Sequence, residues 1–101
     1  MTNYFFMYII DYFKALGGQN CPTNQIVASR QECEVAGSQL GYPFAKEVTS
    51  VDNPSNPGEN RPAGCFWDQN GHSYFNTNMD ASASWNGVGG ICKRKGISST
   101  F

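Results

Sequence analysis

Four cysteines, Cys21, Cys33, Cys65 and Cys92, are spread along a chain of 101 residues. Their spacing is the strongest constraint on what the chain can become. Zinc-binding cysteines usually come in pairs about two to four residues apart. Here the closest two, Cys21 and Cys33, stand far outside that range, and His72 is the only histidine. A structural zinc site is therefore not expected, and no Cys-x-x-Cys redox pair is present. An even number of dispersed cysteines in a small domain rich in Gly, Asn and Ser reads as two disulfides. A core this small needs such staples. The alternative is four buried thiols in a reducing compartment. Three pairings are open to four cysteines. Two bridges imply an oxidising compartment.

Charge narrows the function classes. Eight acidic and seven basic residues leave a net charge of −1. That excludes a basic nucleic-acid surface, so no nucleic-acid partner is expected. An aromatic content of 14% excludes a wholly disordered chain. No apolar stretch reaches the roughly 18 residues of a spanning helix.

The most apolar run is Tyr4-Phe5-Phe6-Met7-Tyr8-Ile9-Ile10, continuing through Tyr12, Phe13 and Leu16 to Gly17-Gly18. On a helical wheel Asn3, Asp11 and Lys14 share a sector about 80° wide. A helix here is apolar nearly all round and needs more cover than a small domain offers. Three readings stand. The run is the hydrophobic region of a signal peptide, although no basic residues precede it. It is a helix or strand packed on its own domain. Or it is a docking helix that inserts into a partner or lies at a membrane surface. The docking reading assigns partner contacts to Tyr4, Phe5, Phe6, Tyr8, Ile9, Tyr12 and Phe13. The partner is then a protein in a larger assembly, with membrane-surface contact through residues 4–16.

The rest divides into a domain over 21–95 and a polar tail over 96–101, with 1–20 as the anchoring segment. Gln25 to Ala28 reads as a short strand. Ser29, with Glu32 three residues on, is a capping box. Helical spacing of Cys33, Ala36 and Leu40 follows, and Gly41 and Pro43 end it. Phe44–Val48 reads as a strand, and 52–64 as an exposed loop carrying three of the five prolines. Cys65–Asp68 and His72–Asn76 form a hairpin around Asn70-Gly71, the usual two-residue turn signal. Gly90–Lys93 is a last short strand. The fold class is α+β: one amphipathic helix packed on a small antiparallel sheet, with two disulfides and an apolar N-terminal segment.

Particular residues carry a resemblance: Ile26, Ser29, Glu32-Cys33-Glu34, Ala36, Leu40-Gly41, Arg61-Pro62-Ala63-Gly64-Cys65-Phe66, Tyr74-Phe75-Asn76 and Gly90-Ile91-Cys92. Through them, roughly from Cys21 to Lys93, the chain resembles a small cysteine-rich module that recurs in microalgal proteins. The layout is similar to PAN/apple modules, in which a Cys-bearing helix lies across an antiparallel sheet and a second bridge ties the domain's ends. The resemblance implies the pairs Cys33–Cys65 and Cys21–Cys92, and it implies a fold more than an activity.

Catalytic signals are sparse. His72 opens a strand beside a turn, an ordinary place for a surface histidine. No Gly-x-Ser-x-Gly elbow is present, and Gly87-Val88-Gly89-Gly90 lacks the Lys-Ser/Thr of a phosphate loop. Asn76-x-Asn78-x-Asp80 has the opening rhythm of a calcium loop, but Ala81 and Gly87 stand where Gly and Glu belong. A turn held by Asn and Asp side chains explains it better. No metal or cofactor is expected. Lys93-Arg94-Lys95 is a small cationic patch. Strand alternation separates Phe66 from Trp67. With one face under the helix, Trp67 on the other is a contact residue, and Trp67 with Trp85 suggests an aromatic platform. Two function classes follow. The first is a non-catalytic structural or interaction subunit of a membrane-associated assembly, on the microalgal resemblance the lumenal side of a photosynthetic complex such as a photosystem. The second is a secreted carbohydrate- or protein-binding module. An enzyme ranks last.

Overall fold

A computed structural model describes residues 11–50, 55 and 60–95. One helix, α1 (Arg30–Leu40), crosses a five-stranded sheet. The strands are β1 (Tyr12–Lys14), β2 (Phe44–Val48), β3 (Gly64–Asp68), β4 (Ser73–Asn76) and β5 (Val88–Lys93), in the order β1-β5-β3-β4-β2.

The helix forms where its local signals stand. Ser29 is extended, and its Oγ accepts the Glu32 N–H at 3.2 Å, supplying one of the orphan donors of the first turn. Cys33, Ala36 and Gly37, at three- and four-residue spacing, are buried. Gly41 takes φ +82°, a conformation costly for any side chain with a Cβ, and the Tyr42 N–H returns to the Gly37 carbonyl at 2.8 Å. Helix and sheet approach closely at Gly37. A methyl group there would stand 2.5 Å from the Tyr42 carbonyl oxygen and collide with the Ser73 hydroxyl.

Both disulfides form with the pairing that the resemblance implied: Cys33–Cys65 with an S–S distance of 2.06 Å and Cys21–Cys92 with 2.11 Å. Cys65 belongs to the core cluster under α1 together with Ile91. Alternation along β5 therefore turns Cys92 to the opposite face, so the bridges lie on opposite sides of the sheet. By loop-closure entropy each stabilises the fold by about 4 kcal/mol.

The sheet departs from the expected antiparallel pattern at one pair. β2 runs parallel to β4, with Lys46 beside Tyr74 and Glu47 beside Phe75. A parallel pair needs an intervening crossover. Here the proline-rich loop and β3 supply it, because β3 inserts between β4 and β5. Two local expectations also change. Thr23–Gln25 is a turn of 3-10 helix, closed by the Gln25 N–H on the Pro22 carbonyl, and only Ile26 pairs with Cys92. The β3–β4 hairpin has three loop residues, not two. Asp68 N–H bonds His72 O, Gly71 N–H bonds Asp68 O, and Gly71 sits at φ +91°. That is a tight turn followed by a left-handed glycine.

The largest change concerns the N-terminal segment. Tyr12–Lys14 is a strand paired with Ile91–Lys93, not part of a helix. The edge continues past it: Ala15 N–H bonds Gly90 O, Gly18 N–H bonds Val88 O, and Gln19 O accepts from Gly90 N–H. Residues 12–19 therefore belong to the folded domain, which had been expected to begin at 21. A strand wins over a helix because β5 offers this stretch a full row of backbone partners.

Two clusters fill the space on either face. Under α1 lie Tyr12, Val27, Cys33, Ala36, Cys65, Trp67, Phe75 and Ile91. The far face carries Phe66, Ala83 and Val88, with Val48, Tyr74 and Trp85 packed against them.

Candidate functional site

The residues expected to meet a partner are placed unevenly. Tyr4, Phe5, Phe6, Tyr8 and Ile9 lie outside the described residues. Tyr12 is 2% exposed, and its hydroxyl donates to the buried Glu32 carboxylate at 3.0 Å. Burial, then this hydrogen bond, raises the Tyr12 phenol well above the ordinary tyrosine range. Phe13 is half-buried with the Arg94 guanidinium 5.8 Å above its ring. Trp67 is 7% exposed and lies on the helix side, its indole N–H donating to the Ala15 carbonyl at 2.8 Å. Tyr12 and Trp67 thus hold the domain together, and neither presents a contact surface. Trp67 and Trp85 occupy opposite faces, so they form no shared platform.

The far face has a cleft of about 330 Å³, within the size range of ligand pockets. Strand register builds it. Lys46 of β2, Tyr74 of β4 and Phe66 of β3 are successive cross-strand neighbours, and Asp68 pairs with Val88. Phe66 and Val88 are its buried members. Half-buried Val48, Tyr74, Asp68, Arg61 and Trp85 form the walls, and exposed Lys46 and Asn70 stand at the mouth. Phe66 and Tyr74 stack at 5.2 Å between ring centres, 18° from parallel. The Arg61 guanidinium lies 5.1 Å from the Trp85 ring, a cation–π contact. Gly87 permits this wall: a side chain there would meet the Trp85 ring within 2.7 Å.

Asp68 serves its own turn. One carboxylate oxygen accepts the Asn70 and His72 N–H groups at 3.1 and 3.2 Å, and the other accepts the Tyr74 hydroxyl at 2.9 Å. Burial, then that hydrogen bond, raises the Tyr74 phenol. The cleft therefore combines aromatic and aliphatic lining with the Lys46 and Arg61 side chains and a carboxylate already bonded within the protein.

Asn76-x-Asn78-x-Asp80 is a pair of side-chain-to-backbone turns. Asn76 Oδ1 accepts the Asn78 N–H at 3.0 Å, and Asn78 Oδ1 accepts the Asp80 N–H at 3.1 Å. Asn76 is fully buried and uses every bonding position. Its amide donates to Ser50 Oγ and Pro62 O, and its Oδ1 also accepts from Ser50 N–H. It thereby pins both ends of the proline-rich loop. Among the described residues no group of three His, Cys, Asp or Glu side chains could hold a metal ion. Nor is any helix among them long and apolar enough to cross a membrane.

Of these lining residues, Trp85 was expected from the sequence to bind, and Arg61, Lys46, Val48 and Val88 were not. Alternation along Phe44–Val48 was the available signal, since it puts Lys46 and Val48 on one face; Arg61 left none. No family model matches the chain, and neither a curated protein nor a solved structure matches it.

Proposed function

We propose that this protein is a non-catalytic interaction subunit, held by two disulfides and working in an oxidising compartment as an accessory to a membrane-associated assembly. The resemblance to microalgal PAN/apple-like modules directs the reading to the lumenal side of a photosynthetic complex such as a photosystem. One observation carries it: the apolar run over 4–10 leads straight into β1, an edge strand bonded along its length to β5 and tied to α1 through Tyr12 and Glu32. A partner holding that run is thereby coupled to a stapled domain. The test is deletion of residues 1–10, which leaves β1 intact. The truncated protein keeps its melting temperature and is lost from the membrane-associated fraction in native gels. Retention there at the full-length level would sink the anchor reading.

A second reading, a secreted carbohydrate- or protein-binding module, is favoured by the far-face cleft. It replaces the Trp67–Trp85 platform with Trp85, Tyr74 and Arg61. A saturable ligand that survives deletion of residues 1–10 supports it.

A further inference from the structure

We infer that Asn70 is a modification site: in the folded protein it loses its side-chain amide and becomes isoaspartate or aspartate, while the fold holds back the same reaction at Asn86. Two of the ten asparagines precede a glycine, in Asn70-Gly71 and Asn86-Gly87. A glycine in that place leaves its amide nitrogen open to the asparagine side chain, because no Cβ stands in the way. The Gly71 nitrogen gives its proton to hydroxide and bonds to Asn70 Cγ. The Cγ–Nδ2 bond breaks, and ammonia leaves with a proton from water, closing a cyclic imide. Water then opens the ring, at the main-chain carbonyl to give isoaspartate or at the side-chain carbonyl to give aspartate. Water is the only co-reactant consumed.

The two pairs share this chemistry and differ in what must move, since the peptide joining Asn to Gly has to rotate before the nitrogen reaches Cγ. Asn70 is exposed at the tip of the β3–β4 hairpin, and its side-chain amide makes no hydrogen bond among the described residues. Nothing stands within 4 Å of the point where a Gly71 Cβ would be, and the rotation breaks one hydrogen bond, from Gly71 N–H to Asp68 O at 3.0 Å. Asn86 is exposed too, but its peptide is enclosed. A Cβ on Gly17 would collide with the Asn86 carbonyl oxygen. Gly87 is buried, with Trp85 ring atoms within 2.7 Å of its own Cβ position, and its carbonyl accepts the Gln69 N–H at 2.8 Å. Rotating that peptide displaces the Trp85 ring and the start of β5, a larger and rarer opening than that of a hairpin tip. Isoaspartate at position 70 adds one carbon to the main chain of a three-residue loop and a carboxylate beside Asp68, on the cleft lining shared with Lys46.

Incubation of the full chain at pH 8 with its disulfides intact, followed by digestion and mass spectrometry of the peptides, tests this. The mass gain of deamidation appears at Asn70, mostly as isoaspartate, and accumulates at least about ten-fold faster there than at Asn86. In urea the same chain converts both at similar rates. Asn70→Gln, at an exposed turn position where folding is not at risk, loses the fast reaction, because the longer side chain closes its ring far more slowly. Equal or faster conversion of Asn86 in the folded protein would overturn the inference. So would an intact Asn70 over a period in which the unfolded chain converts, since the turn would then be closed to rotation. A rate ratio that persists in urea would trace the difference to neighbouring residues and not to the fold, and would overturn it as well.

Discussion

The two faces of the sheet are built from the same strands and have opposite characters. Under α1, Cys33, Cys65, Trp67, Phe75 and Ile91 fill the space, and each polar group noted there is answered: the Trp67 indole by Ala15, the Tyr12 phenol by Glu32, the Ser73 hydroxyl by Tyr42. On the far face Phe66 and Val88 are buried with Ala83, and half-buried Trp85, Tyr74 and Val48 pack against them beside a cleft. Alternating positions on one strand thus divide the work. Cys65 and Trp67 pack beneath the helix, while Phe66 centres the far-face cluster and half-buried Asp68 borders the cleft. In so small a domain, both faces and the bridges have to contribute to stability.

The sharpest way to break this comparison is to unstaple the closed face. Replacing Cys33 and Cys65 together by Ala should cost about 4 kcal/mol in urea unfolding, through loop entropy. A loss under 1 kcal/mol would mean that the helix face holds without its bridge. Asn76→Ala should cost about 3 kcal/mol, since two backbone N–H groups and the Pro62 carbonyl lose a buried partner. That result would show that the far face also contains one structural anchor, set apart from the cleft.

Tyr12→Phe removes a hydrogen bond to a buried carboxylate and should cost about 2 kcal/mol. Its pH dependence is directional. The folded Tyr12 phenol is raised, so the folded state holds this proton more tightly than the unfolded chain does. The associated stability is complete below about pH 10, the usual tyrosine value, and is lost as pH climbs above it. Denaturation followed from pH 8 to 12 should show stability falling, with a shallower fall in Tyr12→Phe. The smallest effect belongs to the cleft. Arg61→Gln should change stability by no more than about 1 kcal/mol, the scale of a cation–π contact near the surface. A larger loss would make the cleft wall part of the stabilising core.

Legibility in the sequence followed the range of the interactions. α1 was readable to the residue because Ser29, Glu32 and Gly41 act within four positions of what they cap. Phe44–Val48 and the β3–β4 hairpin were readable from alternation and Asn70-Gly71, though the hairpin took one more loop residue. β1 was not readable, because Tyr12–Lys14 becomes a strand through Ile91–Lys93, which lie far along the chain. The face of Trp67 was misjudged for a related reason. Strand parity separates Phe66 from Trp67 but does not say which meets the helix. The Cys33–Cys65 bridge decides that, since Cys65 and Trp67 share a face. The cleft depended on the parallel register of Lys46 with Tyr74 and on Arg61 arriving from a loop, neither encoded locally.

The two indole N–H groups make the division of faces directly measurable, since Trp67 reports the closed face and Trp85 the cleft. In a ¹⁵N-labelled sample transferred to D₂O, the Trp67 indole N–H, buried and bonded to Ala15, should exchange far more slowly than that of half-buried Trp85. Equal exchange of the two, or slower exchange at Trp85, would contradict the separation of a closed face from an open one.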